Sequence, residues 1–303
     1  MKRIVFMGTP EYAAEILSHL ITVDDIDVVA VYTQPDKPVG RKAILTPPPV
    51  KKIAENAGIT VYQPTTLRSE EVIEQVCSIS CDFIVVAAYG QILPKKVLEY
   101  VPCINLHASI LPMYRGASPI QQSLLNNDIE TGVTAMWMNE GLDTGAIIKI
   151  GKIPILEQEM VESLYNRLTH EAINLTVDVI QTWDGVTATA QNDFDASHCR
   201  KITKLEGLIT FADAREIYNR YRAYTPWPGI YLESGLKIKS MSLEEESSFG
   251  QSGVIVSIDK ESIIVQCDKG SLRIYKVQAP SKQETSVIDY LNGKRMISGN
   301  ILA

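Results

Sequence analysis

Short apolar runs alternate with amphipathic segments along the first 127 residues, and this alternation limits the fold more than any other feature. The apolar runs lie at residues 3–8, 27–34, 60–63, 82–90 and 103–109. The amphipathic segments lie at residues 9–21, 49–58, 69–79 and 118–127. Strands that are apolar on both faces need helices on both sides. The pattern therefore predicts an α/β fold with a Rossmann-like, doubly wound and mostly parallel sheet.

The pattern changes after residue 127. Two further apolar runs, at residues 131–140 and 146–155, are joined by the short sequence GLDTG. Apolar residues then recur with helical spacing over residues 160–183, which predicts one long amphipathic helix. These elements complete a first domain, which we expect over residues 1–183.

A polar segment without a sustained period, residues 184–204, predicts a linker. After a helical segment at residues 212–224, short strands with turn residues between them predict a small, OB-like β-barrel over residues 205–303. Residues 200–303 carry 15 Lys and Arg against 12 Asp and Glu, whereas residues 1–199 carry 14 against 24. Such a contrast can mark a domain that binds a polyanion, although an ordinary solvated surface explains it equally well.

Cysteine usage and hydropathy predict the compartment. The five cysteines are an odd number and are too scattered for a disulfide framework, which is typical of a reducing compartment. Cys77 and Cys81 are four residues apart, but no second Cys or His pair lies near them in sequence, so buried packing is favoured over a metal site. Because no run of about eighteen apolar residues and no leader sequence is recognisable, we expect a cytoplasmic protein without a membrane span.

Asn105 and His107 are the first candidates for a functional site. They fall at the end of a predicted strand, and alternate residues of a strand point to the same side. Ligands of open parallel sheets bind beyond the carboxyl ends of the strands. A single histidine is more often structural than functional, but this position and the amide partner favour a functional pair.

The loop GLDTG supplies a third candidate, Asp143, between two glycines. Taken alone, this loop is best interpreted as a hairpin turn. Together with Asn105 and His107, it completes an amide donor, an imidazole and a carboxylate, a set that suits acyl transfer to an amine. The sequence contains no GxSxG, so direct transfer is favoured over a covalent intermediate. The first turn has only Gly8 where a dinucleotide fingerprint needs three glycines, which argues against a nicotinamide or flavin site. No GxxxxGK[ST], the P-loop pattern, occurs either.

A long proline-rich connection, residues 33–51, follows the second predicted strand. Long loops in compact domains are usually functional or disordered. Lys37, Arg41 and Lys42 make this loop basic within an acidic domain, and such cations can meet nucleic-acid phosphates. The alternative is a basic loop that is merely solvated.

Longer stretches of the chain resemble a known family. NLHASILPMYRGASPIQ, which begins at Asn105, and NEGLDTG, which ends at Gly145, closely resemble the folate-dependent formyltransferases. MGTPEYAAE, TQPDKPVGRK, TPPPVK and RAYTPWPG are similar to the branch of that family that acts on methionine carried by initiator tRNA. The resemblance covers nearly the whole chain. It implies that 10-formyltetrahydrofolate donates a formyl group to the methionine α-amino group before translation initiation.

The resemblance also implies roles for individual residues. Asn105 would donate to the oxyanion, His107 would supply a second donor and assist proton transfer, and Asp143 would orient His107. Tetrahydrofolate would contact Tyr89, Gln91, Ile92, Ser109, Ile110, Leu111 and Pro112. The tRNA would contact Lys37, Arg41, Lys42 and the C-terminal domain, and a monomer that uses no metal is expected.

Four alternatives remain open at this point. The acceptor could be a small amine, either a purine-pathway ribonucleotide or an amino-sugar nucleotide. A hydrolase of formyltetrahydrofolate would share the three candidate residues but would not need a basic loop. A protein that binds RNA or folate without catalysis would not need Asn105, His107 and Asp143 together.

Overall fold

A computed structural model describes residues 1–40, 42–183 and 187–302. Distances between Cα atoms divide the chain into two units. Unit 1 comprises Met1–Pro119, Glu130–Ile155 and Tyr165–Cys199. Unit 2 comprises Ile120–Ile129, Leu156–Leu164 and the chain from Arg200 onward.

A seven-stranded sheet forms the centre of unit 1. The strands of this unit are β1 (Lys2–Gly8), β2 (Ile26–Tyr32), β3 (Lys37–Val39), β4 (Ile44–Thr46), β5 (Val61–Tyr62), β6 (Phe83–Ala87), β7 (Cys103–His107), β8 (Arg115–Gly116), β9 (Glu130–Trp137), β10 (Ile147–Pro154) and β11 (His198–Cys199). The order in the sheet is β10-β9-β7-β6-β1-β2-β5. β7, β6, β1, β2 and β5 are parallel, whereas β9 and β10 join antiparallel. The chain leaves β1 first toward β5 and later toward β10, so the connections change direction between β1 and β6.

Helices and short paired segments complete the first two-thirds of the chain. The helices are α1 (Glu11–Leu20), α2 (Pro49–Asn56), α3 (Glu70–Ser78), α4 (Lys95–Leu98), α5 (Pro119–Leu125) and α6 (Val161–Gln181). Unit 2 takes in nearly all of α5 and the first residues of α6. β3 pairs with β4 as a hairpin, and β8 pairs with β11 in parallel.

The parallel strands are buried because they are apolar at nearly every position. In β1 and β6, every residue from Ile4 to Met7 and from Phe83 to Ala87 is buried. One cluster on a face of this sheet contains Val5, Met7, Tyr32 and Tyr89. Burial of apolar surface contributes about 25 cal/mol per Å² to the free energy of folding. This burial fixes the strands in the sheet and therefore the positions of their carboxyl ends.

An antiparallel sheet forms the centre of unit 2. Its strands are β12 (Ile230–Tyr231), β13 (Lys237–Phe249), β14 (Ile255–Ile258), β15 (Ile263–Gln266), β16 (Lys269–Gln278) and β17 (Thr285–Ser286). They pair in the order β12-β13-β16-β15-β14, with β17 beside β16. Two helices, α7 (Ala214–Tyr224) and α8 (Val287–Lys294), belong to the same unit, and the side chains of Asp213 and Ser286 cap them.

A buried arginine connects residues 120–129 and 156–164 of unit 2 to α7. Arg222 on α7 is 1% exposed. Its guanidinium donates to Asn127 Oδ1 at 2.8 Å and to the Glu157 carbonyl at 3.2 Å. Asn219 Nδ2 donates to the Leu125 carbonyl at 3.3 Å. These bonds join residues 120–129 and 156–164 to the C-terminal part of the chain.

The predicted fold class is confirmed, with a mostly parallel sheet in an α/β unit and a separate antiparallel sheet in the C-terminal part. Several elements were not predicted, α4 and β8 among them. The basic connection contains the β3–β4 hairpin, which its prolines obscured, and α8 follows the last strands. The segment predicted as a linker carries β11 in its described part, residues 187–204, because polar hydrogen bonds rather than apolar periodicity order it.

Candidate active site

β7 carries two polar side chains on one side of the sheet. It lies between β6 and β9, with Asn105 opposite Val86 and Met136, and with His107 opposite Thr134. His107 is buried and Asn105 is half-buried. The strand period places both side chains on the same face, as the spacing predicted.

Both ring nitrogens of His107 face oxygen atoms. Nε2 lies 2.9 Å from the Tyr114 carbonyl oxygen, and Nδ1 lies 3.6 Å from Asp143 Oδ2. A neutral imidazole has one N–H and can donate to only one of these oxygens, whereas the protonated ring can donate to both. The ring of His107 is thus held between the Tyr114 carbonyl and the Asp143 carboxylate.

The Asp143 carboxylate joins the two residues of β7 to the loop that follows them. Its Oδ1 accepts a hydrogen bond from Asn105 Nδ2 at 3.3 Å, and its Oδ2 accepts one from the Gly116 main-chain N–H at 2.8 Å. Asp143 is 9% exposed, so water screens these interactions little. The structure thus brings together the three residues that the sequence separates by up to 38 positions.

The backbone around these groups adopts unusual conformations. Tyr114 and Asp143 have φ of 61° and 54°, in the left-handed region that non-glycine residues rarely enter. Such residues cost on the order of 1–3 kcal/mol each and persist only where their surroundings fix them. A Cβ added to Gly116, whose φ is 118°, would lie 2.3 Å from the Cys199 carbonyl oxygen, so only glycine fits there.

The loop after β7, in which tetrahydrofolate contacts were predicted, is held by short hydrogen bonds. Ser109 Oγ donates to the Met113 carbonyl at 2.6 Å, and Thr134 Oγ donates to the Ser109 carbonyl at 2.7 Å. The Leu111 N–H donates to Thr134 Oγ at 3.1 Å. Ser109 and Leu111 are buried, whereas Ile110 and Pro112 are half-buried, and the peptide bond between Leu111 and Pro112 is cis.

The other predicted folate contacts follow β6. The Tyr89 ring is buried in the core, where burial raises the pKa of its hydroxyl, and this hydroxyl has no hydrogen-bond partner among the described residues. The Gln91 side chain accepts from the Leu67 N–H at 2.9 Å and donates to the Pro64 carbonyl at 3.1 Å. These two side chains support the fold, whereas Ile92 is 67% exposed.

The predicted tRNA contacts belong to the β3–β4 hairpin. Lys37, the first residue of β3, and Lys42, which lies between the two strands, are both exposed. Arg41 lies outside the described residues. The hairpin also exposes Val39, Ile44 and Leu45, three apolar side chains that were not among the predicted contacts.

Sequence reasoning missed a second group of residues, in the segment 187–199. Ser197 Oγ accepts from the Tyr114 N–H at 2.9 Å, and the Ser197 carbonyl accepts from the Arg115 N–H at 2.9 Å. Cys199 Sγ donates to the Tyr114 carbonyl at 3.3 Å, and burial raises the pKa of this thiol, which keeps it a donor. These contacts hold the loop that places Tyr114 beside His107.

Among residues 1–40, 42–183 and 187–302, no three His, Cys, Asp or Glu side chains lie close enough together to hold a metal ion. Within the same ranges, none of the helices has both the length and the apolar content needed to cross a bilayer.

Comparison with known proteins finds the same relatives for both parts of the chain. Residues 1–180 match the model of the formyl transferase family, and residues 201–295 match the model of the formyl transferase C-terminal domain. The chain is 58% identical to the methionyl-tRNA formyltransferase of Sulfurimonas denitrificans, over 97% of both chains. It is 52% identical to that of Nitratiruptor sp., over 98% of this chain and 99% of the relative.

Solved structures of lower identity share the fold. An N-formyltransferase from Helicobacter canadensis, in complex with folinic acid and dTDP-3-aminofucose, superposes with a TM-score of 0.70 at 20% identity. It covers 92% of this chain and 100% of its own. HypX from Aquifex aeolicus in complex with tetrahydrofolic acid gives a TM-score of 0.61 at 13% identity, over 96% of this chain and 47% of its own.

Proposed function

Because the chain belongs to the methionyl-tRNA formyltransferase family, we propose that it transfers the formyl group of 10-formyltetrahydrofolate to the α-amino group of methionine on initiator tRNA. The observation that carries this proposal is the cluster of Asn105, His107 and Asp143 at the end of β7 in a chain 58% identical to such an enzyme. The product, formylmethionyl-tRNA, serves translation initiation.

The reaction is a direct acyl transfer. The neutral amine nitrogen of methionine forms a bond to the formyl carbon, and the formyl oxygen carries negative charge in the tetrahedral intermediate. The bond between the formyl carbon and N10 then breaks. One amine proton leaves and finally resides on N10 of tetrahydrofolate, so that atoms and charges balance.

Asn105 is the donor with the simplest geometry. A carboxamide NH2 group has two hydrogens, and Asn105 Nδ2 uses one of them for Asp143 at 3.3 Å. Its side chain is half-buried, so the other hydrogen is available to a bound formyl oxygen. Removal of one such oxyanion donor costs about 10²- to 10³-fold in rate.

His107 and Asp143 act as a pair. The His107 ring offers a second donor to the developing oxyanion, and the nearby Asp143 carboxylate orients that ring. Direct donation from His107 to substrate requires that it exchange its contact with either Tyr114 or Asp143. The carboxylate also offers an acceptor through which a water molecule can carry away the amine proton.

Unpaired main-chain groups support a folate site beyond β6. In the part of the chain that the structure describes, residues 90–93 make no main-chain hydrogen bond. A pterin ring carries adjacent N–H, amino and carbonyl groups that can pair with such a backbone. Lys95 Nζ lies 3.6 Å from Glu140 Oε1, so this segment adjoins the loop that carries Asp143. We therefore assign tetrahydrofolate to residues 89–93 and 109–112, with the side chains of Tyr89 and Gln91 supporting the backbone.

The β3–β4 hairpin is the proposed contact for tRNA in unit 1. Lys37 and Lys42 are exposed cations, and Arg41 adds a third cation in the sequence between the two strands. Phosphate contacts of this kind weaken as the salt concentration rises. We also propose that the OB-like domain over residues 205–303 binds tRNA, that residues 1–183 form the catalytic domain, and that the enzyme is a cytoplasmic monomer.

An acceptor panel tests the proposed function. The purified chain is given 10-formyltetrahydrofolate with charged initiator tRNA, with an amino-sugar nucleotide, or with water alone, beside the variants Arg41→Ala and Lys42→Ala. We expect transfer to the tRNA and a higher KM for tRNA in both variants. Transfer to the sugar nucleotide, or release of formate alone, would contradict the assigned acceptor.

A further inference from the structure

Gln191 contacts the loop of Asp143 from a segment that sequence reasoning assigned to a linker. Its Nε2 donates to the Asp143 carbonyl at 2.9 Å and to the Gly145 carbonyl at 2.8 Å. A single NH2 group thus bridges the two carbonyls that flank Thr144. Both of its hydrogens are used, so the main chain around Asp143 is held at two points.

Arg115 holds the other end of the same side chain. Its Nε and Nη2 donate to Gln191 Oε1 at 3.0 and 2.8 Å, and its Nη2 also contacts Asp193 Oδ1 at 2.8 Å. Arg115 is 4% exposed, whereas the Asp193 side chain is 84% exposed. The guanidinium therefore fixes the direction of the Gln191 amide from the buried side.

The loop needs such support. Asp143 has a φ of 54°, a strained conformation for a residue with a side chain. Its carboxylate must meet the Gly116 N–H, Asn105 Nδ2 and the His107 ring together. A displacement of about 1 Å in such an arrangement can cost about 10²-fold in rate.

We propose that Gln191 is the positioning residue for Asp143, oriented in turn by Arg115. This inference rests on the proposed function, because it gives Asp143 a part in formyl transfer. Gln191 does not touch the reacting atoms. It fixes the main chain from which the carboxylate projects.

The variant Gln191→Glu changes the donor end of the side chain and keeps the acceptor end. A glutamate has nearly the same shape and still accepts from Arg115, but it has lost both donors toward Asp143 and Gly145 and brings an oxygen against two carbonyls. We expect kcat for formylation to fall by about 10- to 100-fold, while KM for tRNA and for the folate changes little. Asp193→Asn is the matched control, since it removes only the exposed charge and should keep wild-type kcat.

Two readouts distinguish positioning from a general structural role. Amide hydrogen exchange of a peptide covering residues 138–146 should be faster in Gln191→Glu, with the rest of unit 1 unchanged. In an Asp143→Asn background, adding Gln191→Glu should lower kcat by less than about twofold, because effects of residues that act as a unit are not additive.

The result that would overturn the inference is unchanged exchange of this peptide in Gln191→Glu, or a full additional loss of kcat in the Asp143→Asn background. If Gln191→Glu does not fold, Gln191→Met, which is uncharged and lacks both the donor and the acceptor of the amide, is measured in its place with the same expectations for exchange. Failure of the proposed function looks different: wild type would not formylate the tRNA, while the exchange of residues 138–146 would still respond to Gln191.

Discussion

The segment from β7 to β8 and the segment 187–199 both build the candidate site, but they contribute in different ways. The first carries Asn105 and His107, whose side chains we propose act on the substrate. The second carries Gln191, Ser197 and Cys199, whose hydrogen bonds hold the main chain around the first segment and around Asp143. The proposed catalytic side chains and the groups that hold the main chain thus lie on two stretches of chain about 80 residues apart.

This division leads to different expectations for the two segments. Removal of a group that acts on substrate should reduce the rate and leave stability nearly intact. Removal of a supporting group should reduce stability, with a smaller loss of rate. Four substitutions test whether the two classes separate in this way.

The largest effect on rate is expected for His107→Ala. It removes the imidazole that we propose acts beside the oxyanion, and loss of an acid or base group costs about 10²- to 10⁴-fold. Single-turnover formylation at saturating tRNA measures this loss, with a thermal melt to establish that the variant is folded. A folded His107→Ala with near wild-type rate would place the chemistry elsewhere.

Gly116→Ala should affect both properties, because Gly116 joins the two segments. A methyl group there would meet the Cys199 carbonyl oxygen at 2.3 Å and would force β8 away from β11. Overpacking of this kind costs about 1–3 kcal/mol, and displacement of the Gly116 N–H removes a donor to Asp143. The denaturant concentration at the unfolding midpoint and kcat should both fall. An unchanged midpoint would show that β8 and β11 can separate without loss of stability.

Ser197→Ala tests support in isolation. The change removes the partly buried hydrogen bond from the Tyr114 N–H to Ser197 Oγ, and such a loss costs about 1–3 kcal/mol. We expect a lower free energy of unfolding and a fall in kcat of less than about tenfold, with Ser197→Thr retaining most of both. A rate loss as large as that of His107→Ala would erase the distinction between the segments.

The smallest effect is expected for Cys199→Ser at neutral pH, because a hydroxyl also donates to the Tyr114 carbonyl. Burial raises the folded-state pKa of the Cys199 thiol, so its contribution to stability is complete below the ordinary thiol pKa and is lost as the pH rises through the folded value. Unfolding titrations from pH 7 to 11 should therefore show a weaker alkaline loss of stability in Cys199→Ser. An identical pH dependence in the variant would contradict this contribution.

The sequence predicted which polar groups cluster at the end of β7 better than it predicted the groups that hold them in place. The strand period put Asn105 and His107 on one side because it needs only neighbouring residues, and the glycines of GLDTG singled out Asp143. Gln191 is one amide in a polar segment without a period, and its partners lie 46 to 76 residues away, so nothing local indicates its contacts. The burial of Tyr89 likewise depends on strands that are distant in sequence.

The most direct test of the account follows a labelled formyl group from 10-formyltetrahydrofolate in a single turnover with charged initiator tRNA, for wild type and Asn105→Ala. We predict that the label appears in formylmethionyl-tRNA with wild type, and that Asn105→Ala slows its appearance about 10²- to 10³-fold with unchanged binding of tRNA. Label released as formate by the wild type, or an undiminished rate in Asn105→Ala, would contradict it.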